Sequence, residues 1–122
     1  MQPLVMIGQM EKGKAMRLSF LASSMGIRVR EIAPGEAGCT LGMLCGLDPL
    51  QARAGVLSRE MMVMAFFPEP LMDAWLKAMR NTGDTVALKA VLTPYNRLWT
   101  AQKLAGELLA EHRAFQAKEK NV

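Results

Sequence analysis

Two stretches of the chain carry residue types whose spacing could support chemistry. Gly8-Gln9-Met10-Glu11-Lys12-Gly13-Lys14-Ala15 spells G-x-x-x-x-G-K between an apolar run and a helical pattern. In a phosphate-binding loop such glycines let backbone N–H groups wrap phosphate, and the lysine reaches the outer phosphates. The loop also needs Ser or Thr next, to hold Mg²⁺, and the residue there is Ala15. No later apolar run ends in the Asp that would complete a metal site. Gly8, Gly13 and Lys14 therefore form only a weak P-loop-like set, and a small enzyme or nucleotide-binding protein using them is the alternative reading.

The second stretch runs from Lys89 through Thr93-Pro94-Tyr95-Asn96-Arg97-Leu98-Trp99-Thr100. Here an apolar strand pattern passes to a helix through a proline turn, with Asn96 as a natural N-cap and Arg97 in the first turn. Free N–H groups at that helix start, with Thr93, Asn96 and Arg97, suit a small anion or carboxylate. Lys89 joins them if its side chain turns that way, and Trp99 borders the site. The competing reading has Asn96 merely capping, Arg97 solvated and Trp99 in the core.

Other reactive residues are isolated. Cys39 stands close to the start of a short helix, where a helix dipole lowers a thiol pKa. The single histidine, His112, lies on an apolar stripe with Leu108 and Phe115, as a packing histidine does. No spacing of His, Cys, Asp and Glu suits zinc. Eleven methionines, with Met61, Met62 and Met64 on one strand pattern, read as core filling rather than a soft-metal surface. No catalytic residue, metal or cofactor is assigned.

The elements that must position these residues follow from periodicity. Leu4–Ile7 and Met61–Phe67 are uninterrupted apolar runs, expected for strands covered on both faces. Ile27–Arg30 alternates, as a half-exposed edge strand does, and Thr85–Leu92 is a fourth strand. Helices are expected over 11–25, with Met16, Phe20, Leu21 and Met25 inward and Gly26 at the left-handed turn beyond. Others are expected over 39–46, 69–81 and 97–117. The third has the stripe Leu71, Met72, Trp75, Leu76 and Met79; the last has Ala101, Leu104, Ala105, Leu108, His112 and Phe115.

The order is βαβα twice, in halves 1–50 and 60–118, joined by a connector over 47–59 with room for one helical turn. At an offset of 60, Pro34, Thr40, Leu44 and Gly46 fall on Pro94, Thr100, Leu104 and Gly106, which suggests an internal repeat. The expectation is a single α/β domain over 1–122 with a four-stranded, mostly parallel sheet in the order 2-1-3-4. If translation relates the halves, the sheet is wholly parallel, and Gly8–Lys14 lies beside Phe67–Pro70 at the crevice between strands 1 and 3. If a two-fold relates them, those strands pair antiparallel and the sheet is mixed.

The chain has 122 residues, 51% hydrophobic and 21% charged, enough for a sizeable core. No apolar run approaches the ~20 residues of a membrane span, and the first residues lack a basic n-region. With Cys39 and Cys45 six apart, about 240° around a helix, a mutual disulfide is not expected, and the setting reads as a reducing cytoplasm. The net charge of +4 is dispersed, apart from small groups at Arg28 and Arg30 and at Lys118 and Lys120. A nucleic-acid surface would cluster it.

Residues Leu88 to His112, LKAVLTPYNRLWTAQKLAGELLAEH, resemble a bacterial family, domain of unknown function 3783. Leu88, Lys89, Ala90, Leu92, Thr93, Asn96, Trp99 and Thr100 carry the likeness, which extends from Met61 onward. The resemblance implies a small cytoplasmic bacterial protein in which this turn is the defining feature. It implies no activity, ligand or catalytic residue. The leading expectation is thus a non-enzymatic binding or interaction domain, with a small anion or a protein as partner at 93–100. A structural or regulatory module that forms homodimers is a third reading.

Overall fold

The structure, a computed structural model, describes residues 1–120. In chain order the elements are β1 (Leu4–Gly8), α1 (Lys12–Ser24), β2 (Arg28–Ile32), a 3-10 turn (Pro34–Glu36) and α2 (Leu41–Leu44). There follow β3 (Met61–Ala65), α3 (Glu69–Thr82), β4 (Leu88–Val91), a second 3-10 turn (Asn96–Leu98) and α4 (Ala101–Lys120). The strands form one sheet in the order β2-β1-β3-β4.

Each half forms a parallel pair, β1 with β2 and β3 with β4, as a strand–helix–strand crossover requires. The central pair is antiparallel: Met6 faces Val63, Leu4 faces Ala65 and Gly8 faces Met61. The sheet is therefore mixed, and the wholly parallel version is excluded. That pairing also corrects the expected crevice. Gly8 leaves the sheet beside the start of β3, while the turn at Phe67–Pro70 leaves from the opposite end.

Both central strands are buried at every position, and the methionines of β3 account for much of that filling. Val5, Ile7, Met62 and Met64 face α1 and α3. Leu4, Met6, Met61 and Val63 face α2, α4 and the connector. Two layers of helices thus enclose the sheet, α1 and α3 on one side, α2 and α4 on the other.

Three expectations about the elements are corrected. On α1 the inward stripe is Ala15, Leu18 and Ala22, while Met16 and Phe20 are exposed. Alanines at those positions let the helix lie close to the sheet, and the larger side chains are left outside. On α4 the stripe is buried at Ala101, Leu104 and Ala105 but not at Phe115, because the helix runs on past the sheet. The connector contains no helical turn. It is an extended strap, with Leu57 buried under it.

The strap is held by close backbone contact. Gly38 N–H donates to Arg53 O at 2.8 Å and Gly55 N–H to Pro34 O at 3.2 Å. A Cβ on Gly55 would stand 2.8 Å from Gly38 N, so the approach requires glycine. The Cys39 thiol, wholly buried, donates to Gln51 O and accepts from Arg53 N–H, each at 3.3 Å. Both cysteines are free thiols.

The two halves meet again beyond the sheet. Thr40 and Thr100 form an antiparallel bridge, in which Leu41 N–H donates to Trp99 O at 2.9 Å and Ala101 N–H to Cys39 O at 3.0 Å.

Candidate functional site

The turn from Thr93 to Thr100 is built by its own polar side chains. Asn96 Oδ1 accepts from Thr93 N–H at 2.8 Å, and Thr93 Oγ1 accepts from Asn96 N–H at 3.0 Å. Asn96 Nδ2 donates to Val91 O at 3.0 Å, tying the turn to the end of β4. Asn96 is therefore not the cap of α4, as its position suggested. Trp99 is extended (ψ 144°), which breaks the helix one residue before Thr100. Thr100 is the cap, its hydroxyl accepting from Lys103 N–H at 3.0 Å. The T-x-x spacing shared by Thr40 and Thr100 was the available signal: Thr40 Oγ1 likewise accepts from Met43 N–H.

Arg97 turns back over the first half. Its Nε donates to Asp48 Oδ2 at 3.2 Å and its Nη2 to Asp48 Oδ1 at 2.7 Å, a two-pronged pair. The hydrogen bonds from Arg97, then its charge, hold the Asp48 carboxyl below the usual carboxylate range, and the same bonds with the Asp48 charge raise the Arg97 guanidinium. Gly42 lies beneath, and a Cβ there would strike both the Asp48 carboxylate and Arg97 Cγ. Lys89 takes no part, because its Nζ donates to Val86 O at 2.5 Å, before the start of β4. Of the five residues proposed to hold an anion, Thr93, Asn96, Arg97 and Trp99 share the turn. Arg97 Nε and Nη2 and the Asn96 amide are already engaged within the protein.

Outward the turn presents two large side chains beside Thr93 and Pro94. Tyr95 is 77% exposed and Leu98 75%. Tyr95, helical in its own backbone angles, caps the 3-10 turn that ends at Leu98, and a three-residue spacing of that kind brings side chains toward one side. Trp99, half-buried against the core, meets the Tyr95 ring edge-on at 5.9 Å, and Lys103 Nζ lies 4.7 Å from the Trp99 ring centre. Periodicity gave Tyr95 and Leu98 no special place, and only the locked turn shows that they point to solvent together.

At the other sequence motif, Glu11 occupies the place that phosphate would take. Its carboxylate accepts from Gly13 N–H at 2.8 Å and Lys14 N–H at 2.9 Å. Those backbone hydrogen bonds are the main reason its pKa falls below the usual value. Lys14 Nζ donates to Glu60 at 2.7 Å and to Thr85 O at 2.5 Å, bracing α1 against the second half. Gly8 is buried under Leu57. A nucleotide phosphate here would have to displace one carboxylate and draw the lysine from another.

Cys39 and His112 are not brought together. Cys39 O bonds the first residue of α4, and His112 stands three helical turns further along, roughly 16 Å at 1.5 Å per residue. His112 lies beside Lys89, Leu108 and Glu111 in a shallow hollow of about 230 Å³. Among the described residues no group of three or more His, Cys, Asp or Glu could hold a metal ion. No helix among them is long and apolar enough to cross a membrane.

Residues 60–115, from the start of β3 into α4, match the model of a family described as Domain of unknown function (DUF3783). No curated protein and no solved structure matches the chain.

Proposed function

We propose that this chain, whose residues 60–115 belong to the DUF3783 family, is a protein-interaction domain rather than an enzyme, with the turn 93–100 as its contact surface. One observation carries this reading: Tyr95 and Leu98, three residues apart, both stand exposed on a turn locked by its own hydrogen bonds. Large apolar and aromatic groups held rigidly lose little entropy on binding and serve as anchors in partner pockets. Lys103 over the Trp99 ring supplies a charged rim to that patch. The geometry favours a protein over a small anion here, since an anion must compete with Asp48 for Arg97 and with Thr93 and Val91 for Asn96.

We further infer that the two halves are diverged copies of one βαβα unit related by a two-fold. The reciprocal hydrogen bonds at Thr40 and Thr100 support this, as does the matching closure of the two 3-10 turns. Glu36 accepts from Ala33 N–H as Asn96 does from Thr93 N–H. Gln9 and Phe66, each just after a central strand, also share a positive φ, 52° and 64°. In this reading the second copy carries the contact residues. The first, with Gly35 and Gly38 where the second has Tyr95 and Leu98, covers the β3 edge. We take the setting to be a bacterial cytoplasm, and free Cys39 and Cys45 fit its reducing conditions.

The test is the double variant Tyr95→Ser/Leu98→Ser. Tagged protein recovered from its own cells is expected to lose its co-purifying partner while its melting temperature stays within about 3 °C of the parent, as for surface changes. Retention of the same partner by the double variant would refute the proposal. If light scattering shows that the partner is a second copy, the homodimer reading replaces it.

A further inference from the structure

A cleft of about 500 Å³ opens at the C-terminal ends of β1 and β2. Its origin is topological. Beyond β1 the chain turns to α1 on one face of the sheet, and beyond β2 it turns toward α2 on the other. Parallel neighbours whose connections diverge in this way leave a crevice, the usual ligand position in open α/β sheets. The connector strap forms its outer wall. In the second half the residues corresponding to Gln9 and Met10 are Phe66 and Phe67, both packed half-buried against the two cores.

The lining specifies a chemistry. Ile7, Met10, Ile32, Val56 and Leu57 make the walls apolar, and Val56 remains 68% exposed at the lip. Val56 N–H donates to Gln102 Oε1 at 2.9 Å, so this wall is fixed in place. Two polar residues line it, Gln9 and Glu31, both exposed. Gln9 donates its Nε2 hydrogen to Leu57 O at 2.6 Å, which leaves Oε1 as an acceptor. Glu31 is the only ionisable residue of the lining, and its carboxylate has no ion-pair partner among the described residues. Both groups accept hydrogen bonds, and no Lys, Arg or His side chain lines the cleft.

We infer that this cleft is a small-molecule site for an organic cation, an apolar body carrying an ammonium group. The body lies between Met10, Ile32 and Val56, and the ammonium donates to Glu31 and to Gln9 Oε1. The volume suits such a ligand, within the roughly 300–1,000 Å³ of small-molecule pockets. The site is lined by the first half and the connector and shares no residue with the proposed contact turn.

Amide NMR titration of the full chain at pH 7 tests it, with phenethylamine as the probe and 3-phenylpropionate as its counterpart of opposite charge. Saturable shifts at Gln9, Glu31 and Val56 are expected with the amine. The carboxylate and the Glu31→Gln variant should each bind roughly two- to fivefold more weakly, the scale of one exposed ion pair. A second variant, Val56→Trp, should fill the lip and abolish the shifts while the remaining spectrum is preserved. Absence of saturable shifts at millimolar amine would overturn the site. Equal binding of the carboxylate, or undiminished binding to either variant, would overturn the assigned chemistry.

Discussion

At the scale of single residues, the polar side chains near the candidate turn act mainly on one another. Asn96→Ala removes an acceptor from Thr93 N–H and a donor to Val91 O. It should cost about 1–2 kcal/mol in chemical denaturation, the worth of two such bonds. Acid sensitivity is set at this scale too. Arg97 on Asp48, Arg17 on Asp84, Arg30 on Glu36 and two backbone amides on Glu11 hold all four carboxyls below their ordinary values. A carboxyl lowered by folding stabilises the folded state above its unfolded pKa, and that contribution is lost as pH falls through the folded value. The melting temperature should therefore be flat, as far as these groups go, from pH 7 to about 5, and should fall below about pH 4. In Asp48→Asn that fall should be shallower, with a lower plateau near neutrality. A variant with an unchanged acid limb would show that the pair does not contribute.

The elements were legible where hydrophobic periodicity was strong and misread where size misled. The stripe of α3 is buried or half-buried throughout, with Trp75 and Met79 fully inside. On α1 the bulky Met16 and Phe20 suggested the inner face, yet close packing selected Ala15, Leu18 and Ala22. The start of α4 was misplaced because Asn96 is a strong cap residue by type, and its side chain was needed earlier, to close the turn. The arrangement makes element-level predictions. Trp75→Ala should cost about 3–5 kcal/mol through the cavity it leaves. Trp75→Phe should cost much less than Trp75→Ala, because it leaves a smaller cavity; both remove Trp75 Nε1, a buried donor without a partner among the described residues. On the strap, Gly55→Ala meets the backbone at Gly38 and Ala37 as well as the Gln102 side chain, and should cost about 1–3 kcal/mol. Urea denaturation of the three variants measures each.

For the molecule as a whole, the sheet order was readable from which strands were apolar on both faces. The relative direction of β1 and β3 was not. A strand buried on both faces shows the same residues whichever way its neighbour runs, and the choice is made by the path of a connector with no regular element of its own. That choice decides the site. It sets the turns after β1 and β3 at opposite ends of the sheet. Tyr95 and Leu98 could be read only as apolar residues in a turn; their joint exposure needed the locked geometry. The most direct measurement is photo-crosslinking in the protein's own cells, with benzoylphenylalanine at position 95 and, as a control, at exposed position 77 on α3. A discrete protein adduct is expected from position 95, absent from position 77 and lost on adding Leu98→Ser. No adduct from position 95, or the same adducts from both positions, would contradict the assignment of this turn as the contact surface.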